Sequence, residues 1–141
     1  MDARSKAQTE IWLVYCGYIV SWCCFLFMIH TLNPPQRTVS ALVLAAFAGA
    51  AVYAIVSGFV IRKKFLAQST EVLLSDPSKA VRRWKAAHFF GFSSAMSLTI
   101  FGLALKFLGT GWLVSGIFFA VGLGLLVLWR PQLAGVTDPV I

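Results

Sequence analysis

Four long apolar stretches dominate this chain of 141 residues and leave room for little besides membrane-spanning helices. They run from Ile11 to Leu32, Val39 to Ile61, Phe89 to Leu108 and Trp112 to Trp129. A helix needs about 20 such residues to cross a hydrocarbon core roughly 30 Å thick. Hydrophobic residues make up 59% of the chain and charged ones 12%. Ordinary soluble domains have about 45–50% and about 25%, and mean hydropathy here is +0.81. A soluble fold of this size could not hide that surface. The expected architecture is all-α: one integral membrane domain over residues 1–141, with four transmembrane helices in two antiparallel hairpins.

The first stretch is too long for the core of a secretory signal, and no small-residue cleavage site follows it. Asn33-Pro34-Pro35 stops it instead, since proline lacks the amide that the next turn needs. Met1 is therefore expected to open the mature chain. The third stretch holds one charge, Lys106, near enough to its end to snorkel.

Charge assigns the sides. Arg4, Lys6, Arg62, Lys63, Lys64, Lys79, Arg82, Arg83, Lys85 and Arg130 flank one side of the spans, and only Arg37 and Lys106 the other. Basic residues gather on the cytoplasmic side. Both termini and the central segment 62–88 are thus expected in the cytoplasm, in a bacterial inner membrane. The net charge of +7 then serves topology and lipid headgroups, so no nucleic-acid partner is expected. Trp12, Trp84, Trp112 and Trp129 fall at span ends, as amphipathic indoles prefer. Trp22 falls near mid-membrane, a place for helix packing or for contact with a pigment or quinone.

Segment 62–88 reads as a cytoplasmic loop followed by a helix start. Asp76 can cap free amides and Pro77 suits the first helical position, so helix three should begin in the cytoplasm and run on into the membrane. Arg62, Lys63, Lys64, Arg82, Arg83 and Lys85 are candidates for docking onto lipid headgroups or a partner. Within lipid, helices associate through small residues that let backbones approach. Helix two carries Ala46, Ala50, Ala54 and Gly58 at four-residue spacing, helix three Gly91 and Ala95, and helix four Gly116, Ala120 and Gly124. The stripe on helix two is expected to pack within the chain, and the one on helix four against a partner.

Candidate chemistry is sparse. The carboxylates are Asp2, Glu10, Glu71, Asp76 and Asp138, none inside a span. Ion-coupled transporters usually hold an ionisable acid at depth, so none of that class is expected. Ser93, Ser94, Ser97 and Thr99 make helix three hydroxyl-rich, suited to interhelical hydrogen bonds or to a channel path. His30 and His88 lie at opposite ends of their spans, too far apart to ligate one haem iron. Cys16, Cys23 and Cys24 show no metal spacing and read as small buried apolar residues. No catalytic arrangement or metal site is discernible, and no cofactor is expected beyond a possible bound lipid, quinone or pigment.

The stretch from Asp76 to Pro131 resembles a group of uncharacterised small four-helix bacterial membrane proteins. The resemblance is carried by Arg83-Trp84-Lys85 at the entry to helix three, Phe101-Gly102-Leu103, Gly109 at the turn and Arg130-Pro131 at the end. It implies a fold and no activity. Met96 stands where many members carry a glutamate. More distantly, the layout resembles doubled proteolipid rotor subunits of ATP synthases or their small assembly protein. The resulting expectation is a non-enzymatic membrane subunit or assembly factor working with lipids and other membrane subunits. A small homo-oligomeric channel or carrier is the alternative.

Orientation is directly testable. In a background with the native cysteines replaced, Ser78→Cys should be labelled only from the cytoplasmic side and Gln36→Cys only from the outside. Reversed labelling would overturn the assignment.

Overall fold

The computed structural model describes residues 3–131; Met1, Asp2 and residues 132–141, Asp138 among them, lie outside the described residues. The fold is all-α with four helices: α1 (Ala3–Leu32), α2 (Ala41–Val72), α3 (Pro77–Leu108) and α4 (Trp112–Leu128). Three of them, α1 to α3, are long and apolar enough to cross a membrane. At 17 residues, α4 sits at the short end of that range.

Each helix boundary follows from local chemistry. Helix α1 ends at Leu32, where Asn33 takes a positive φ of 35° ahead of the two prolines; asparagine tolerates that region better than most residues. Ser40 caps α2 by accepting from the Val43 amide. Asp76 caps α3, accepting from the Lys79 amide at 3.0 Å and from Ser78 Oγ at 2.7 Å, with Pro77 in the first turn. The Lys79 amide, with help from Ser78, holds the Asp76 carboxyl below its usual pKa. A lowered carboxylate pKa means the cap is in place at neutral pH and is lost as pH falls through that value. Gly109 closes α3 at φ 106°, where a Cβ would meet the Arg37 backbone nitrogen at 2.7 Å. Its carbonyl accepts from the Arg37 amide at 2.9 Å, tying the α1–α2 connection to the α3–α4 turn.

Residues 62–88 differ from the expected loop. Helix α2 continues unbroken from the span to Val72, and only residues 73–76 separate it from α3. Neither glycine nor proline occurs between Gly58 and Pro77, and Arg, Lys, Leu, Ala and Gln there are good helix formers. At 32 residues each, α2 and α3 are about 48 Å long, well beyond the hydrocarbon thickness of about 30 Å. Their polar ends, beyond the length such a layer needs, pair as a two-helix projection. Within it Phe65 stacks on Phe90, and the Arg83 guanidinium donates to the Gln68 carbonyl at 3.1 Å. The extension of helix three is as expected; its partner is the tail of helix two.

Helix α3 is the hub. It packs most extensively against α2 and α4 and to a lesser degree against α1. Lys85 pairs with Glu10, so α1 lies beside α3 with the same direction and α2 runs opposite to both. Half of the α3 span is buried, against 6% of the α1 span and 11% of the α2 span. The core comprises Phe92, Ala95 and Leu98 of α3 with Ile11, Ala51, Leu125, Leu126 and Trp129. Although consecutive, α1 and α2 each lean on α3 more than on one another.

Candidate functional site

The sequence repeats that suggested close packing fall on mixed surfaces. Gly58, Gly91 and Ala95 are buried and Ala54 and Gly116 half-buried, but Ala46, Ala50, Ala120 and Gly124 are exposed on the chain. The expectation that the whole α2 stripe packs inward therefore fails at Ala46 and Ala50. The reason is geometric: four residues turn a helix by about 400°, so a four-residue repeat drifts about 40° per step around it. The face of α2 that meets α3 is marked instead by Phe47, Ala51 and Gly58. On α4 the inward residues are Ser115, Phe119, Gly122, Leu125 and Leu126. A Cβ on Gly122 would sit 2.6 Å from Thr99 Oγ1 and 3.0 Å from the Ala95 carbonyl oxygen. A Cβ on Gly102 would likewise lie 2.9 Å from the Ser115 carbonyl oxygen. The four-residue repeats do not mark these approaches; only the alternation of three- and four-residue steps from Ser115 to Leu126 does.

The polar residues of the spans divide between bonds that join helices and bonds back to their own helix. Tyr18 and Ser93 hydroxyls meet at 3.0 Å across α1 and α3. Ser97 and Thr99 donate back to the carbonyls of Ser93 and Ala95. Trp22, the mid-membrane indole, donates from Nε1 to the Phe119 carbonyl at 3.2 Å, joining α1 to α4. Lys106 does not snorkel. It is 1% exposed, with Nζ 4.8 Å from the centre of the Trp112 ring, a cation–π contact that covers the charge. The three cysteines lie exposed on α1 rather than buried. His30 is exposed in the last turn of α1, at the end opposite His88. Among the described residues no group of three or more His, Cys, Asp or Glu side chains could hold a metal ion.

One cluster stands apart. At the basic end, Trp129 leaves α4 and wedges between α2 and α3. A Cβ on Gly91 would lie 3.1 Å from Trp129 Cε3 and 3.3 Å from Arg62 Cδ. One on Gly58 would lie 3.0 Å from the far edge of the same indole. Phe59 meets the Trp129 ring edge-on at 4.9 Å. His88, one turn before Gly91, is held by Trp84 at 4.6 Å and Phe92 at 5.8 Å between ring centres. Trp129 and His88 are both almost wholly enclosed. Yet Trp129 Nε1, His88 Nδ1 and Arg62 Nε are buried without a hydrogen-bond partner among the described residues. Each such orphan costs about 1–3 kcal/mol, and three belong to residues of this one cluster.

The remaining basic candidates divide. Lys63, Lys64 and Arg82 are exposed, while Arg83 and Lys85 are engaged with Gln68 and Glu10. An open groove of about 550 Å³ runs along α2 beside the cluster, lined by Phe59, Val60, Arg62, Lys63, Leu66 and Thr70.

No protein-family model, curated protein or solved structure matches this chain. Fold and sequence define a class: a multi-helix protein with three helices long and apolar enough to cross a membrane.

The glycine approaches on α4 can be separated from the exposed stripe by substitution. Gly122→Leu should lower the thermal stability of the purified protein by about 0.5–2 kcal/mol, the range of a single interhelical interaction in lipid. Ala50→Leu and Ala120→Leu should leave it near wild type in the same thermal scan.

Proposed function

We propose that this chain is a non-catalytic integral subunit or assembly factor of a larger complex in a bacterial inner membrane, with both termini cytoplasmic. The observation that carries the reading is the pair of small-residue surfaces left open on the single chain. Built Cβ atoms at Gly49, Gly116 and Gly124 meet nothing within 4 Å, and Ala46, Ala50 and Ala120 flank them exposed. In lipid, surfaces of this kind favour close approach of another helix. The absence of a carboxylate from every span argues against ion-coupled transport. The resemblance to small four-helix bacterial membrane proteins supports the same class.

A homo-oligomeric channel is the competing reading. It is weakened by the hydroxyls of α3, because Ser93 is engaged with Tyr18, and Ser97 and Thr99 with the helix backbone.

The deciding experiment is purification from native membranes in mild detergent, with mass spectrometry of what co-elutes. The proposal expects a defined heteromeric assembly from which Ala120→Leu is released while remaining stable itself. A ring of this chain alone would contradict the subunit reading and support the channel.

A further inference from the structure

We propose that Arg62, His88 and Trp129 form a specific site for the phosphate of an anionic phospholipid. The inference stands apart from any protein partner, because it rests on three unsatisfied nitrogens. Trp129 Nε1 is a donor only, and so is Arg62 Nε, which belongs to a permanent cation. His88 Nδ1 becomes a donor when it carries the ring proton, or when the ring is doubly protonated beside an anion. What completes such a set is an acceptor with negative charge. Phosphate oxygens meet that description, and charge-assisted bonds of this kind are the strong ones.

Position narrows the source. Arg62 directly follows the span ending at Ile61, His88 directly precedes the span opening at Phe89, and Trp129 closes the last span. All three therefore lie at one level, where apolar chain gives way to polar sequence and where lipid headgroups reside. Gly91 lets the Trp129 ring and the Arg62 stem pack together against the α3 backbone at that level, since a side chain there would strike both. Arg62 also lines the adjoining groove, which gives one ligand two kinds of wall. Arg62 and Lys63 suit a phosphodiester, while Phe59, Val60 and Leu66 suit the chain attached to it. No acidic residue lines it. Inorganic phosphate shares the headgroup chemistry but has nothing to set against the apolar wall.

The test uses the full-length protein, delipidated in detergent and titrated separately with phosphatidylglycerol, phosphatidylcholine and inorganic phosphate. Bound lipid is read by native mass spectrometry and thermal shift, and phosphate binding by calorimetry. Wild type should retain one phosphatidylglycerol per chain, about tenfold more tightly than phosphatidylcholine. Arg62→Gln should abolish that preference, and Trp129→Phe, which keeps an aromatic ring but removes the N–H, should weaken it several-fold. Lys64→Gln, at an exposed position outside the cluster, should bind as wild type does. Circular dichroism checks that each variant remains helical; if Arg62→Gln unfolds, Trp129→Phe alone decides. Equal retention of both lipids by wild type, or undiminished preference in Trp129→Phe, would overturn the proposal. Binding of inorganic phosphate without any lipid preference would overturn the lipid source and reassign the site to a small anion.

Discussion

The bundle depends on how closely α3 lets three other helices approach its backbone. Lipid removes the hydrophobic effect as a force between helices, so what remains is packing and hydrogen bonding at short range. Helix α3 meets that demand with small residues on several faces. Ala95 and Thr99 receive Gly122 of α4, Ser94 receives Gly58 of α2, and Ser93 receives the Tyr18 hydroxyl of α1. Each neighbour thus has its own docking place, and of the three long helices α3 has the largest share of its span buried. The same arrangement leaves α1 and α2 with wide outer faces, which lipid or another chain must cover.

Burial at the basic end follows from this packing. Because α2 and α3 run in register past the apolar layer, a tryptophan from α4 can close the gap between them at Gly58 and Gly91. That closure buries His88 and part of Arg62, and His88 Nδ1 and Arg62 Nε find no protein partner among the described residues. No carboxylate lines the adjoining groove to neutralise Arg62. Of the chain's twelve lysines and arginines Arg62 alone enters this cluster, in contrast to the exposed collar of Lys63, Lys64 and Arg82.

Much of the fold is legible in the sequence because membranes impose coarse rules. The apolar lengths locate the helices, Asn33-Pro34-Pro35 ends the first, and Asp76-Pro77 begins the third. Segment 62–88 misleads because its charges suggest solvent, whereas its residues are helix formers with no breaker among them; charge describes surroundings and not backbone. The packing faces are half legible. Four-residue repeats pick out Gly58 and Gly91 but rotate away from the interface, so Ala50 and Ala120 share a spacing with buried residues without sharing their face. The convergence of Arg62, His88 and Trp129 is not legible at all. Each looks ordinary at a span end, and only the tertiary course of three elements joins them.

Disulfide cross-linking in a cysteine-free background tests the hub arrangement most directly. Cysteines replacing Phe47 of α2 and Phe101 of α3, or Tyr18 of α1 and Phe92 of α3, stand where the native rings meet at 5.7 Å and 5.8 Å between centres and leave the close glycine approaches of α3 intact. Both pairs should cross-link rapidly in the membrane, whereas a pair replacing Val20 of α1 and Val56 of α2, both on exposed faces, should not. Efficient coupling of α1 to α2 through that last pair, with neither α3 pair reacting, would contradict a bundle built around α3.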